Sequence, residues 1–341
     1  MKILIDAFGG DYSPSEMVKG AVTSVNLLND VSIVLTGDET KIKEELTQVG
    51  YSGDKISIIN APEVISTNES PTMAIRQKKN SSLVVGLETL ADDDNGVDAM
   101  ISCGSTGAVL AGGLFKVGRI NGVARPALAP MLPTLNGGQV LLIDCGANVD
   151  CKPEYLIQFA VMGSAYMKAM TGLTNPRVAL LNVGVEDHKG NDLTHAVFEK
   201  LSQMPQINFV GNMEARDMLS GDYDVIVCDG FVGNVALKSI EGAAGFIGGA
   251  LKKNIKSGGF FAKLGAGLMK KSFAKLKNDL DYTQFGGSPF VGVKKLLIKS
   301  HGSSKAKTIY SCVLQAKKLI ETNALDKIKE DLKVLEKESE A

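Results

Sequence analysis

Ser300-His-Gly-Ser-Ser304 sets an imidazole among hydroxyls just ahead of a helical stretch that begins near Ala306. A helix N-terminus with free N–H groups beside His301 can hold an anion or polarise a carbonyl. The same histidine can equally cap the helix or complete a buried hydrogen-bond network. Glu186-Asp-His-Lys-Gly190 follows an apolar run that ends at Val183. Lys189 can place a point charge on phosphate, or the run can be an ordinary solvated loop; His188 reads as exposed. Phe285-Gly-Gly-Ser-Pro289 and Asp6-Ala-Phe-Gly-Gly-Asp11 are tight turns. In such turns successive N–H groups can point into a concavity that holds an oxyanion.

What is missing narrows the chemistry. The chain has no GxGxxG, GxxxxGK[ST], GxSxG or HExxH, so dinucleotide fingerprint, P-loop, nucleophile elbow and zincin readings lose their usual support. It has three histidines, His188, His195 and His301, so a catalytic histidine must be one of these. The five cysteines lack CxxC spacing and are odd in number, which fits reduced thiols better than a disulfide framework or zinc site.

These turns need rigid elements to hold them. Apolar runs rich in Ile and Val recur at 2–7, 31–36, 55–60, 98–102, 139–143, 177–183, 207–210 and 224–228. They lack strict polar alternation, as strands covered on both faces do. Helical stretches lie between them. Ser13-Pro-Ser-Glu16 combines a capping box with a proline start, and Ser70-Pro71 repeats the proline signal. This βαβα order predicts an α/β fold with a largely parallel sheet. In such sheets ligands bind beyond the carboxyl ends of the strands. The glycine clusters fall there, at 101–107, 143–148 and 227–234. Glycine makes up 37 of 341 residues, against a usual ~7%, and such clusters suggest backbone brought close to a ligand.

Composition sets the outer limits. With 37 basic and 38 acidic residues the formal net charge is -1, which gives no sign of a nucleic-acid partner. The first apolar run is broken at Asp6, too early for a signal peptide, so export is not expected. At roughly 150 residues per domain the length suggests two domains or one large α/β unit. No low-complexity linker marks a boundary, and the breaks near Lys152-Pro153 and Asn175-Pro176 are weakly signalled, so residues 1–341 are read as a single catalytic unit. Within it, 242–278 holds no acidic residue and eight lysines, interleaved with Phe260, Phe261, Leu264, Leu268, Met269 and Phe273. It predicts two basic amphipathic helices joined around Ser257-Gly258-Gly259. Such a segment suits an anionic membrane or an acidic protein, or packs on the core or a second subunit.

Taken together, several segments resemble one family, the bacterial phosphate acyltransferases, acyl-carrier-protein:phosphate transacylases of phospholipid synthesis. The matching residues are Ile5-Asp-Ala-Phe-Gly-Gly-Asp11 with Pro14, Gly104-Ser-Thr-Gly-Ala108, Arg125-Pro-Ala-Leu-Ala129, Asp144-Cys-Gly-Ala-Asn148, Asn182-Val-Gly184 with Glu186 and Lys189-Gly190, Cys228 to Lys238, Phe285-Gly-Gly with Pro289, and Ser300-His-Gly302. Phe8, Ser105 and Ser288 depart from the family's usual residues. The resemblance implies a three-layer fold similar to phosphotransacetylase and to isocitrate and isopropylmalate dehydrogenases, a homodimer, and no cofactor or metal. It also implies transfer of a long-chain acyl group from acyl-carrier protein to inorganic phosphate. The acyl phosphate would pass to a membrane-bound glycerol-3-phosphate acyltransferase, which places the protein in the cytoplasm, peripherally on the inner face of the cell membrane.

Phosphate is itself a nucleophile and thiolate a good leaving group, so this reaction needs no covalent intermediate. It needs an anion held at the thioester carbon and donors aimed at the tetrahedral oxyanion. On the matched positions, Gly104, Ser105, Thr106, Gly287 and Ser288 would take phosphate, with Asp144, Asn148 and Asp229 also in the substrate site. Lys189 would neutralise charge, and His301 with Asn234 would orient phosphate or polarise the carbonyl. Lys252, Lys256, Phe260, Phe261, Leu264, Lys270 and Lys271 would meet membrane or carrier protein. Two other readings are a decarboxylating dehydrogenase, which would need an arginine-rich pocket that the five scattered arginines do not suggest, and a non-enzymatic membrane scaffold.

Overall fold

The computed structural model describes residues 1–279 and 285–340. Its strands form two sheets. The first, of seven strands, contains β1 (Lys2–Asp6), β2 (Ser32–Gly37), β3 (Ile56–Asn60), β4 (Ala99–Ser102), β5 (Ala127–Leu128), β11 (Ser288–Val291) and β12 (Leu296–Lys299), in the order β3-β2-β1-β4-β12-β11-β5. The second contains β6 (Met131–Pro133), β7 (Gln139–Ile143), β8 (Val178–Asn182), β9 (Phe209–Glu214) and β10 (Val225–Val227), in the order β6-β7-β10-β8-β9. All eight expected runs are strands, and their mutual pairings are parallel. The short strands β5, β6 and β11 pair antiparallel at the margins; at two to four residues they are too brief for periodicity to reveal.

Side-chain alternation decides which helices cover which face. Ile3 and Ile5 of β1 join Leu141 and Ile143 of β7 in one central core, packed with α1 (Ser15–Leu27), α6 (Pro153–Thr171), α11 (Ala306–Glu321) and α12 (Ala324–Glu340). Leu4, one residue out of phase, faces the opposite way onto α3 (Pro71–Gln77), α4 (Ser82–Ala91) and α5 (Thr106–Gly112). Val140 and Leu142 face a third cluster that includes Leu237 of α8 (Gly230–Ser257). Each sheet is therefore the middle of an α/β sandwich, and the two share their inner helices. α2 (Glu39–Gln48) and α7 (Asp192–Ser202) lie beside β3 and β9.

Two local expectations are revised. The capping box at Ser13–Glu16 does not form: Ser13 Oγ turns back to the Gly10 carbonyl (2.6 Å), and Glu16 instead accepts from the Ala306 N–H at the start of α11 (2.9 Å). That bond holds the Glu16 carboxyl below the usual range. The basic segment is three helices rather than two. α8 runs unbroken from Gly230 to Ser257, and after Gly258-Gly259 come α9 (Phe260–Leu268) and α10 (Lys270–Asp279). α9 has no buried residue, and Phe261 and Leu268 are 83% and 82% exposed.

Candidate active site

The turns that follow β1, β4 and β12 meet because those strands are parallel neighbours. A Cβ at Gly9 would lie 2.7 Å from the Gly104 nitrogen and 2.6 Å from Asp6 Oδ2, so only glycine allows this approach. The Asp11 N–H donates to the Gly302 carbonyl (2.8 Å) and the Ser300 N–H to the Ser102 carbonyl (2.9 Å). In the second sheet the turns after β7 and β10 lock in the same manner. The Gly230 N–H donates to the Asn148 carbonyl (2.8 Å), and a Cβ at Gly233 would sit 1.9 Å from the Asp144 carbonyl oxygen. The first turn of α8 thus rests directly on residues 144–148.

Where the two sets of turns face each other lies a cavity of about 110 Å³. Thr106, Asn234, Gly287, Ser288 and His301, all expected at the site, line it together with Leu128, Cys145, Glu241, Lys299, Ser300 and Thr308. Six segments distant in sequence supply these groups. That convergence is what a small anion bound beside an acyl group requires.

Lys299 is the residue the sequence reading missed. It ends β12 between Ser102 of β4 and Ser288 of β11, is 8% exposed, and its ammonium donates to the Ser300 carbonyl. No carboxylate among the described residues forms an ion pair with it. Burial lowers its pKa from the ordinary 10.5, against the attraction of Cys103, Cys312 and Asp6. Burying an ammonium without a paired carboxylate is costly, and an anion in the cavity would offset that cost. The signal was present in the sequence as a lysine closing the apolar run at 296–298, immediately before Ser300-His301.

His301 is exposed at the cavity wall, and its ring has a defined tautomer. The Ser303 backbone N–H, which can only donate, points at Nδ1 (3.2 Å), so Nδ1 carries the lone pair and the proton of the neutral ring sits on Nε2. Ser303 Oγ also meets Nδ1 (2.7 Å). Nε2–H is thereby left as a donor. At the adjoining N-terminus of α11, Glu16 occupies the Ala306 N–H.

The remaining expected residues fall into two groups. Gly104 is buried, with its N–H bonded to Ser102 Oγ (3.1 Å), and Ser105 stands at the start of α5 with no side-chain cap bond. Gly287 lines the cavity, yet its N–H is taken by Gln315 Oε1 (2.9 Å), so this turn shapes the wall rather than donating into it. Asp144 is fully buried and accepts from the N–H groups of Leu128, Ala147 and Asn148 and from Asn148 Nδ2 at 2.7–3.3 Å. Asn148 Nδ2 also donates to the Pro126 carbonyl (2.8 Å). Asp144 and Asn148 brace the turn on which α8 rests. Asp229 caps α8 through the Val232 N–H (2.9 Å) and lines a second, largely apolar cavity of about 640 Å³ with Phe231, Val232 and Val235. Lys189 does not line the first cavity: it is exposed in the turn after β8, where its carbonyl accepts from Asn182 Nδ2 (3.0 Å). Lys252 and Lys256 lie on α8, Phe260, Phe261 and Leu264 on α9, and Lys270 and Lys271 on α10, and none of them lines the cavity.

Burial pushes the Asp144 carboxyl up to about 6, while its N–H donors pull it down. The folded chain therefore holds a proton that the unfolded chain releases between pH 3.8 and about 6. This group's contribution to stability is complete below that window and is lost as pH rises through it, a change of about 3 kcal/mol. Asp144→Asn cannot ionise. The wild-type advantage in unfolding free energy over this variant is expected to shrink by that order between pH 4 and 7 in denaturant titrations; a difference flat with pH would contradict the assignment.

The fold defines a structural class, two-sheet α/β proteins whose solved members include phosphotransacylases. A phosphotransacetylase from Streptococcus pyogenes superposes with a TM-score of 0.64 at 16% identity, covering 94% of each chain, and a branched-chain phosphotransacylase from Enterococcus faecalis with 0.58 at 14%, covering 94% of this chain and 99% of that one. Within that class, residues 1–327 match the family described as fatty acid synthesis protein. The chain is 47% identical over 332 residues to a phosphate acyltransferase of Clostridium perfringens, covering 97% of both, and 44% identical over 333 residues to that of Bacillus subtilis, covering 98% of both. The chain belongs to this phosphate acyltransferase family.

Proposed function

We propose that this protein transfers an acyl group to inorganic phosphate, giving acyl phosphate for phospholipid synthesis, with a long-chain acyl-carrier protein as donor. The observation that carries the reading is the cavity between the two sheets, where the buried cation of Lys299, the Nε2–H of His301 and the side chains of Thr106, Ser288 and Asn234 converge. Phosphate held against Lys299 attacks the thioester carbon directly. As the carbonyl oxygen gains charge, His301 and Asn234 donate to it, and the thiolate leaves when the C–O bond is formed and the C–S bond broken. The free energy comes from proximity and from donors fixed before the reaction. The chain acts as one catalytic unit because neither sheet alone completes this lining.

The finer assignments rest on surface chemistry. Val183, Phe231, Val232 and Val235 are exposed apolar residues around the second cavity, and a patch of this kind is suited to a second copy of the chain. No helix among the described residues is long and apolar enough to cross a membrane. The exposed apolar residues of α9, flanked by the lysines of α8 and α10, would instead lie on an anionic cytoplasmic leaflet or receive an acidic carrier. On that reading acyl phosphate would be released beside a membrane-bound glycerol-3-phosphate acyltransferase. Replacing Phe260 and Phe261 by serine is expected to reduce sedimentation with phosphatidylglycerol vesicles by roughly tenfold or more; unchanged sedimentation would refute the contact.

The function itself is tested by incubating the protein with palmitoyl-acyl-carrier protein and labelled phosphate. Labelled acyl phosphate and free carrier are expected in equal amounts. Intact thioester after incubation with folded protein would overturn the proposal. Repeating the assay with palmitoyl-coenzyme A ranks the donors.

A further inference from the structure

Next to the 110 Å³ cavity runs a groove of about 300 Å³, and the two share Leu237, Glu241, His301 and Thr308 in their walls. One wall of the groove is Leu132, Pro133 and Leu219; the other is Leu237, Ile240 and Ala244 of α8. Its polar lining residues are Glu241, His301, Ser303, Ser304 and Thr308, and of these Glu241, His301 and Thr308 also line the cavity. Along α8 the spacing 237, 240, 244 is the three-to-four residue step of one helix face, and it continues to Ile247 and Leu251, which are exposed. Gly245 and Gly248, on the adjoining strip, have no neighbour within 4 Å of a built Cβ, so no described residue fills the space beside them.

We propose that this groove holds the alkyl chain of the acyl donor, with its carbonyl at His301 and its methyl end directed along α8. The inference rests on the phosphate-acyl-transfer reading of the adjoining cavity. A groove that was only a packing defect would have no reason to open into the cavity at the histidine. A chain lying there has its polar head beside His301, at the junction with the cavity, and its methylenes against leucine, isoleucine and proline. The donor's length is then measured by contact. Each methylene seated in the groove should raise kcat/KM about fourfold, from the transfer free energy of a buried CH₂, until the groove is filled.

The test compares butyryl and palmitoyl thioesters of one carrier, in wild type and in Ala244→Trp, which narrows the groove from a partly exposed helix position. The palmitoyl-to-butyryl ratio of kcat/KM is expected to fall at least tenfold in the variant; an unchanged ratio overturns the proposal. The chain contains no tryptophan, so Leu219→Trp places a sole, selectively excitable tryptophan in the groove wall. Bromopalmitoyl thioester is expected to quench it without any turnover, and the quenching should be lost on adding Ala244→Trp's bulky equivalent, Ile240→Phe. Absence of quenching overturns the groove assignment. Quenching without acyl phosphate from any donor would leave the groove standing and refute the reaction instead.

Discussion

Exchanging Lys299 for methionine is expected to lower acyl phosphate formation by ~10²–10³-fold, the range found when one preorganised donor to a developing or bound oxyanion is removed. Methionine keeps the length and shape of the side chain, so the wall of the cavity should survive. The loss should appear first as a raised KM for phosphate, because the cation is placed to bind the anion in the ground state as well as in the transition state. The pH profile gives a second readout. Burial lowers the Lys299 pKa below 10.5, so the wild-type enzyme should lose activity on a basic limb as the ammonium deprotonates, and Lys299→Met should lack that limb. Stability separates this role from a structural one. An ammonium that is 8% exposed and paired with no carboxylate among the described residues opposes folding; the variant should unfold at the same denaturant concentration as wild type or a higher one. A variant that is unstable yet fully active per folded molecule would remove Lys299 from the mechanism.

Why Lys299 escaped the sequence reading, while His301 beside it did not, is a matter of what each signal depends on. A histidine among serines ahead of a helix is conspicuous within five residues. Lys299 becomes unusual only once β12 is known to lie between β4 and β11, since a lysine ending an exposed strand would be unremarkable. The parallel strands were legible because their apolar runs are buried on both faces, as with Ile3, Leu4 and Ile5 at 0% exposure. The division into two sheets was not, because pairing is a long-range property: Val225 pairs with both Leu141 and Val178, and no local pattern at 225 says so. The glycine turns were readable as close approaches, yet not what they approach. Gly287 was expected to donate to an anion, and its N–H is instead bonded to Gln315, 28 residues away in α11. Asp144 illustrates the same limit. A carboxylate past a strand end suggests a ligand contact, and only the donors gathered around it from 128, 147 and 148 reveal a brace. Lys189 matched a phosphate-binding pattern by residue type alone, and the turn that carries it ends away from the cavity.

Replacing His301 by alanine is expected to reduce kcat by ~10²–10³-fold while leaving the KM for phosphate within about threefold, the opposite split from Lys299→Met. The asymmetry follows from geometry. The Ser303 N–H fixes Nδ1 as an acceptor and leaves the proton on Nε2, so the neutral ring presents one donor at the wall shared by the cavity and the apolar groove. A donor at that junction faces the carbonyl of a bound thioester rather than the phosphate. Its bond strengthens when the carbonyl oxygen becomes an oxyanion, which accelerates the chemical step without tightening the ground state. Glutamine at 301 carries an amide N–H near the former Nε2 position and should recover at least tenfold over alanine, whereas a histidine that acted by taking a proton from phosphate would not be replaced by an amide. Failure of glutamine to exceed alanine, with both variants folded, would therefore shift His301 from oxyanion donor to general base; near-normal turnover in the alanine variant would exclude it from the reaction altogether.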